Sequence, residues 1–125
     1  MKLYLQGDLC IEPIADVGEI AGLLPRASDG AVVLAEGEAT GHRHAFHGGG
    51  VALFRDDGLA RDVPPDLFIG ILKVDAPTAA LEHAEHDTIV LPRGTYRIRR
   101  QREFEGSDIL SETVSGPGRS RLVLD

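Results

Sequence analysis

The sequence predicts an all-β protein: a small single-domain β-barrel or β-sandwich over residues 1–125, with at most one short helix. Fifteen glycines and seven prolines are spread through the chain and divide it into short segments. Many of these segments alternate apolar and polar residues or contain β-branched runs, and both patterns are typical of strands. Turn signals recur about every ten residues, so we expect roughly six to nine short strands.

The first half of the chain contains three candidate elements. An alternating segment, KLYLQGDLCIEPI, is interrupted at Gly7 and stopped at Pro13. The next stretch, VGEIAGLLPRASDG, has room for one helical turn, because its two glycines and Pro25 disfavour a longer helix. Residues 31–46 begin with a β-branched apolar run and then alternate, which favours a strand.

The second half of the chain continues this pattern. GVALFRDDG is typical of a strand that ends in an Asp-Gly turn, and DLFIGILKVD indicates a further strand between prolines. TIVLPRGTYRIRRQREFE is interpreted as two strands around a turn from Pro92 to Gly94, because proline and glycine favour turns. RSRLVLD is a candidate for a last edge strand.

Charge and composition argue against several function classes. The formal net charge is −7, which disfavours nucleic-acid binding, because a phosphate backbone attracts a basic surface. No stretch approaches the roughly 20 apolar residues that span a bilayer, so no membrane partner is expected. Cys10 is the sole cysteine, which rules out an internal disulfide and predicts a reducing, cytoplasmic location.

All histidines lie in two short segments, GEATGHRHAFHGGG and LEHAEHDTIVLP. If residues 31–46 form one strand, His42 and His44 share a face of it. Two imidazoles two residues apart on one face can chelate a divalent ion. Glu38 lies on the same face and is a candidate further ligand or catalytic acid or base.

The second segment poses a geometric condition. His83 and His86 have opposite parity, so both can face one site only if they lie in a turn or bulge. A four-histidine site and a three-histidine site that omits one of this pair are both open, while His47 is expected on a glycine-rich loop. Glu85 is a candidate acid, base or hydrogen-bond acceptor for a ligating imidazole. The expected cofactor is a divalent transition metal, and imidazole and carboxylate ligands suit Zn, Fe, Mn, Ni or Cu alike.

A third feature is the arginine-rich segment RGTYRIRRQREFE. On a strand, Arg100 and Arg102 share a face with Tyr96 and Ile98, which are expected to be buried. Inward arginines need anionic partners, either carboxylates of the protein or a small acidic ligand. Ion pairing within the protein and anion binding at a site are both open.

The order of motifs resembles a family of small bacterial and phage-type proteins that has no characterised activity. The motifs are Gln-Gly-Asp near the start, Ala-Glu-Gly-Glu-x-Thr-Gly-His-x-His, His-Glu-Glu-His, Leu-Pro-x-Gly-Thr-Tyr and Arg-Gln-Arg-Glu-aromatic. The chain departs from the third motif by having Ala84 where the pattern has glutamate. The resemblance covers nearly the whole chain and matches Gln6, Gly7, Asp8, Glu36, Glu38, Thr40, His42, His44, His83, Glu85, His86, Pro92, Gly94, Tyr96, Arg100, Gln101, Arg102 and Glu103.

The sequence also resembles, more loosely, the cupins, which are small metal-binding β-barrels. His42 and His44 match the His-x-His strand of that family. The histidine that cupins carry after a Pro-x-Gly turn is missing, because Thr95 and Tyr96 stand there. The resemblance therefore implies that the last ligand comes from the second histidine segment.

Two functional hypotheses remain. In the first, a β-barrel holds a divalent metal through His42, His44, His83 and His86. In the second, the protein is a non-enzymatic structural or protein-interaction module, and its His, Glu and Arg side chains form a buried polar network without metal. Whether the protein is an enzyme stays open, and a homodimer paired through edge strands is a further expectation.

Overall fold

The computed structural model describes residues 2–36 and 42–101, which form seven strands in one antiparallel sheet. The all-β prediction is confirmed, and the described helical structure is one short 3-10 helix, Asp57–Leu59. Among these residues, no helix has the length and apolar character that crossing a membrane requires. The strands are β1 (Tyr4–Gln6), β2 (Leu9–Ile14), β3 (Val32–Glu36), β4 (Arg43–Phe46), β5 (Val51–Phe54), β6 (Phe68–Glu82) and β7 (Ile89–Arg100).

The sheet is built around the long β6–β7 hairpin, and its strand order is β1-β2-β7-β6-β4-β3. Strand β2 pairs with the second half of β7, from Thr95 to Arg100. The other edge of β6 is shared, because β5 pairs with its first half and β4 pairs only with its end, at Leu81 and Glu82. The histidine-bearing strand β4 therefore lies beside the end of β6.

The predicted turn from Pro92 to Gly94 is wrong. Strand β7 runs through both residues, with Thr78 opposite Pro92 and Val74 opposite Gly94. The register shifts between these two pairs, so residues 75–77 of β6 form a bulge opposite the residue between Pro92 and Gly94. A proline, which has no backbone N–H, is tolerated in a strand at such an irregularity.

Residues 31–46 do not form one strand. They contain two strands, β3 and β4, which pair antiparallel with Val32 opposite Phe46 and Glu36 opposite Arg43. Residues 37–41, with the candidate Glu38, lie outside the described residues, as do the candidate Arg102 and the proposed last edge strand. His44 lies on β4, and His42 immediately precedes that strand.

One apolar core shows that the sheet curls. Leu9 and Ile11 on β2 and Leu34 and Phe46 on β3 and β4 belong to the same buried cluster. Because β7 and β6 lie between these strands in the sheet, a flat sheet would keep their side chains apart. Within the described residues β1 and β3 do not pair, so the sheet is a curled barrel that hydrogen bonds between strands do not close. A smaller apolar cluster packs at the beginning of β6 and contains Ala60, Val63, Phe68 and Ile71.

Candidate functional site

The two histidine segments meet in space. His83 lies at the centre, with its ring centroid 4.3 Å from that of His44, 4.5 Å from that of His86 and 5.7 Å from that of His42. The ring centroids of His44 and His86 are 6.0 Å apart. We call these four side chains, His42, His44, His83 and His86, the histidine cluster. All four predicted metal ligands thus belong to one group.

Strand register explains this meeting. Ala45 lies opposite Glu82 and Phe46 lies opposite Leu81, so His44 is adjacent to the residue that follows β6, which is His83. Residues 83–88 connect β6 to β7 and do not belong to a strand. This connection meets the parity condition, because a bend frees His83 and His86 from the strict alternation of a strand. His47 follows β4, is exposed and lies outside the cluster, with its Nε2 atom 3.8 Å from a Glu82 carboxylate oxygen.

The turn between β1 and β2 covers one side of the cluster. Gln6 pairs with Leu9, which leaves Gly7 and Asp8 as a two-residue turn. Gly7 has a φ of +58°, and a Cβ atom built on it would lie 2.9 Å from His86 Nε2 and 3.2 Å from His44 Cε1. Glycine is therefore favoured here both by the left-handed backbone and by the close approach of the two rings.

Gln6 connects this turn to the histidine cluster and to the end of β6. Its side chain is 2% exposed, and its Nε2 atom donates to the backbone oxygens of Leu81 at 3.0 Å and Asp87 at 2.9 Å. Its Oε1 atom lies 2.8 Å from His44 Nδ1. Gln6 thus links β1 to β4 and to both ends of the β6–β7 connection, although β1 and β4 are far apart in the sheet order. These side-chain hydrogen bonds connect β1, at one edge of the sheet, to β4 and β6, which lie towards its other edge.

Glu85 lies beside two members of the cluster. Its backbone N–H donates to His83 Nδ1 at 3.0 Å, and one carboxylate oxygen lies 3.6 Å from His42 Nδ1. The Glu85 side chain is mostly exposed, so its carboxylate is accessible to solvent. The predicted acid or base is therefore adjacent to the histidine cluster.

Burial lowers the pKa of two rings of the cluster, those of His44 and His83. Desolvation of the buried ring, with a smaller repulsion from His83, lowers the pKa of His44 from 6.5 to about 4. Desolvation, followed by repulsion from His86 and His42, also lowers the pKa of His83. The Asp8 carboxylate opposes both shifts, because a nearby negative charge favours the protonated imidazole. His44 is consequently uncharged at neutral pH.

Arg100 has an anionic partner within the protein. Its Nη1 atom donates to Asp8 Oδ2 at 2.8 Å, and both side chains are partly exposed. Tyr96 and Ile98 are buried as expected, whereas Arg100 lies at the margin of the sheet, where the Gln101 N–H also donates to the backbone oxygen of Asp8. Of the two alternatives for the arginine strand, Arg100 takes the internal ion pair.

In this structure the ring nitrogens of the histidine cluster do not point to one common metal position. Within residues 2–36 and 42–101, no three histidine, cysteine or acidic side chains are arranged to hold one metal ion. The hydrogen bond from Glu85 to His83 Nδ1 occupies one of the ring nitrogens that a metal would use. Metal binding at this cluster therefore requires at least one imidazole ring to turn.

Sequence reasoning assigned no role to Gln6, Gly7 or Asp8, although the motifs that carry the resemblance to small bacterial and phage-type proteins include them. The signal lies in KLYLQGDLCIEPI, where a polar Gln-Gly-Asp run interrupts apolar alternation. The run forms a tight turn, and a buried glutamine next to a turn requires several hydrogen-bond partners. Those partners come from residues far away in the sequence, so the pattern alone does not identify them.

The comparisons with known proteins identify a family without a described activity. No curated protein and no solved structure matches the chain significantly. The sequence profile of a family described as Domain of unknown function (DUF8820) matches residues 5–101, which include every described residue of the histidine cluster. The chain therefore belongs to this domain family of unknown function.

Proposed function

We propose that the protein binds a divalent transition metal through the histidine cluster. The observation that carries this proposal is the packing of four imidazole rings, from two distant segments, with ring centroids 4.3 to 6.0 Å apart. Imidazole binds metals in its neutral form, and the low pKa of His44 keeps that ring neutral at pH 7. An all-imidazole donor set suits Zn, Cu, Ni, Fe or Mn, and affinity is expected to be highest for Cu²⁺.

Binding has to reorganise the β6–β7 connection. His86 is exposed and His83 is partly exposed, whereas His44 is held in the interior. The two rings on the connection can therefore turn towards His44 at less cost than the reverse movement. His83 has to give up the hydrogen bond from the Glu85 N–H if its Nδ1 atom becomes a ligand. We therefore expect His44 to stay in place and His83 and His86 to turn towards it when the metal binds.

Catalysis would need an acid or base and a group that orients the ligand. Glu85 is the described carboxylate placed to act as an acid or base, and Glu38 is the second candidate. Arg100 and Arg102 are the candidates for orienting a small acidic ligand, and Arg100 would have to exchange its Asp8 partner for that ligand. The proposed function is metal binding, and a reaction is not part of it.

The test is a titration of the metal-free full-length chain with Zn²⁺, Cu²⁺ and Ni²⁺ by isothermal calorimetry, together with metal content by mass spectrometry. We expect about one equivalent of metal per chain. His44→Ala and His86→Ala should each weaken binding by roughly 100-fold or more, beyond the 10- to 100-fold loss typical of removing a partner of a ligand. His47→Ala is the matched control, because His47 is exposed and outside the cluster. Metal binding that is absent, or equally weakened by His47→Ala, would exclude the proposal.

The second candidate function is a structural or protein-interaction module without metal. The observation that favours it is that Gln6, His44, His83 and Glu85 already form hydrogen bonds that join β1, β4 and the β6–β7 connection. A satisfied polar network of this kind can specify a fold with no ligand. On this hypothesis, His86→Ala has little effect on any property except local stability, and no metal binds.

A further inference from the structure

We infer that Gln6 is a positioning residue that fixes the tautomer of His44 and thereby selects Nε2 of His44 as the atom available to a ligand. This inference deepens the proposed function and, for the metal itself, depends on it. A side-chain amide has two N–H donors on its nitrogen and acceptor capacity only on its oxygen.

The orientation of the Gln6 amide is determined by its surroundings. Its Nε2 atom contacts two backbone oxygens, those of Leu81 at 3.0 Å and Asp87 at 2.9 Å. A backbone oxygen only accepts, so both contacts need N–H donors, and the two hydrogens of the amide nitrogen supply them. If the amide were turned over, its oxygen would face two acceptors. The Gln6 oxygen must therefore face His44.

The amide orientation determines the proton on His44. Gln6 Oε1 can only accept, and it lies 2.8 Å from His44 Nδ1 in a buried position. His44 Nδ1 must carry a hydrogen and donate it, since two facing acceptors would be repulsive. In a neutral ring the proton on Nδ1 leaves the lone pair on Nε2. His44 thus presents Nε2 to a ligand, and Gln6 holds the ring in the orientation that does so.

His83 has the opposite tautomer in this structure. The contact with Gln6 therefore distinguishes His44 from the neighbouring ring. His83 Nδ1 accepts from the Glu85 N–H, so its neutral ring carries the proton on Nε2. That partner lies on an exposed bend, whereas Gln6 is buried and makes three hydrogen bonds. His44 is consequently the ring whose tautomer the fold determines.

The test reads the tautomer directly, in the metal-free full-length chain at pH 7.5, from the ¹⁵N chemical shifts of the His44 ring in long-range ¹H–¹⁵N correlation spectra. We expect a protonated Nδ1 and an unprotonated Nε2. A proton on Nε2 in the unsubstituted protein would overturn the inference, and this measurement needs no variant that could fail to fold.

A matched pair of variants separates positioning from support of the fold. Gln6→Glu and Gln6→Met both remove the amide donors to Leu81 and Asp87, but only Glu keeps an acceptor for His44 Nδ1. We expect Gln6→Glu to retain the Nδ1 proton and Gln6→Met to lose its preference for that tautomer. A Met variant that is folded and has an unchanged tautomer would overturn the role of Gln6.

A Zn²⁺ titration of the same proteins distinguishes this inference from the proposed function. We expect Gln6→Met to weaken Zn²⁺ binding about 10- to 100-fold, and Gln6→Glu to restore most of it. Zn²⁺ binding by a protein in which His44 carries its proton on Nε2 would leave the proposed function standing and overturn the inference. The expected tautomer in a protein that binds none of Zn²⁺, Cu²⁺ and Ni²⁺ would overturn the proposed function and leave the tautomer assignment standing.

Discussion

The two ends of strand β6 are covered in different ways. At its beginning, Phe68 and Ile71 pack with Ala60 and Val63 in the smaller apolar cluster. At its end, the backbone oxygen of Leu81 accepts from Gln6, and the histidine cluster follows. One end is covered by hydrocarbon and the other by imidazole rings and an amide.

This difference separates two kinds of stabilisation. Hydrocarbon packing has no direction and does not depend on protonation, so the apolar cluster at the beginning of β6 should respond mainly to lost volume. The end of β6 depends on which ring nitrogens carry protons and on the partners they meet. The histidine end is therefore the part of the molecule where pH, metal ions and single hydrogen bonds should alter stability.

The largest effect is expected at the apolar end. Ile71 is 0% exposed, so Ile71→Ala should lower the free energy of unfolding by about 2–5 kcal/mol, through lost burial and the cavity left behind. Urea denaturation measures this change. Val90→Ala is the control, because Val90 is 55% exposed on β7, and its effect should stay within about 0.5 kcal/mol. The prediction is contradicted if Ile71→Ala lowers the free energy of unfolding no more than Val90→Ala does.

The second effect is the pH dependence of the histidine end in metal-free protein. His44 has a pKa of about 4 in the folded protein and 6.5 as its ordinary value. Between these pH values the unfolded chain binds the proton and the folded chain does not, so protonation favours unfolding. Stability is then complete above about pH 6.5, falls as the pH approaches 4, and loses up to about 3 kcal/mol from this ring.

Chemical denaturation at a series of pH values tests this, with His44→Gln as the comparison. The lowered pKa of His83 acts in the same direction, while Asp8 opposes both shifts. The difference between the two proteins isolates His44, because the other titrating groups are common to both. The same slope in both proteins between pH 6.5 and 4 would contradict the prediction.

The third effect tests the turn over the histidine cluster. Gly7→Ala should lower the free energy of unfolding by about 1–2 kcal/mol, because alanine is strained at a φ of +58°. The new Cβ should also displace the His86 ring, which a change in its NMR signals would report. Gly48→Ala is the control, since a Cβ there meets no atom within 4 Å. The comparison is refuted if both alanines are equally tolerated.

The smallest effect is expected for an ion pair between two strands that backbone hydrogen bonds already join. Arg97 donates to Glu12 from two nitrogen atoms, at 3.1 and 2.8 Å, and the two residues face each other across β2 and β7. Their coupling should be about 0.2–1 kcal/mol, as is usual for cross-strand pairs. A double-mutant cycle with Glu12→Gln and Arg97→Gln measures it. A coupling well above 1 kcal/mol would place this pair among the main stabilising contacts.

Local patterns were sufficient for the fold class and for part of the site. Alternation and turn residues predict strands, and the all-β prediction is confirmed by seven of them. The same reasoning failed at Pro92 and Gly94, because the bulge that accommodates them lies on the neighbouring strand β6. It also merged β3 and β4 into one strand, since the alternation in the sequence continues past Glu36, where β3 ends.

The sequence by itself determined that the histidines are confined to two segments, that His42 and His44 are spaced as a possible pair, and that the chain is acidic and rich in turns. Only the tertiary structure decided that His83 and His86 join them, because this depends on the register that sets Ala45 opposite Glu82 and on the bend after β6. The roles of Gln6 and Gly7 also required it. The hydrogen-bond partners of Gln6 and the burial and lowered pKa of His44 depend on residues from distant strands. These residues meet only when the sheet curls, and no local pattern in the sequence specifies that contact.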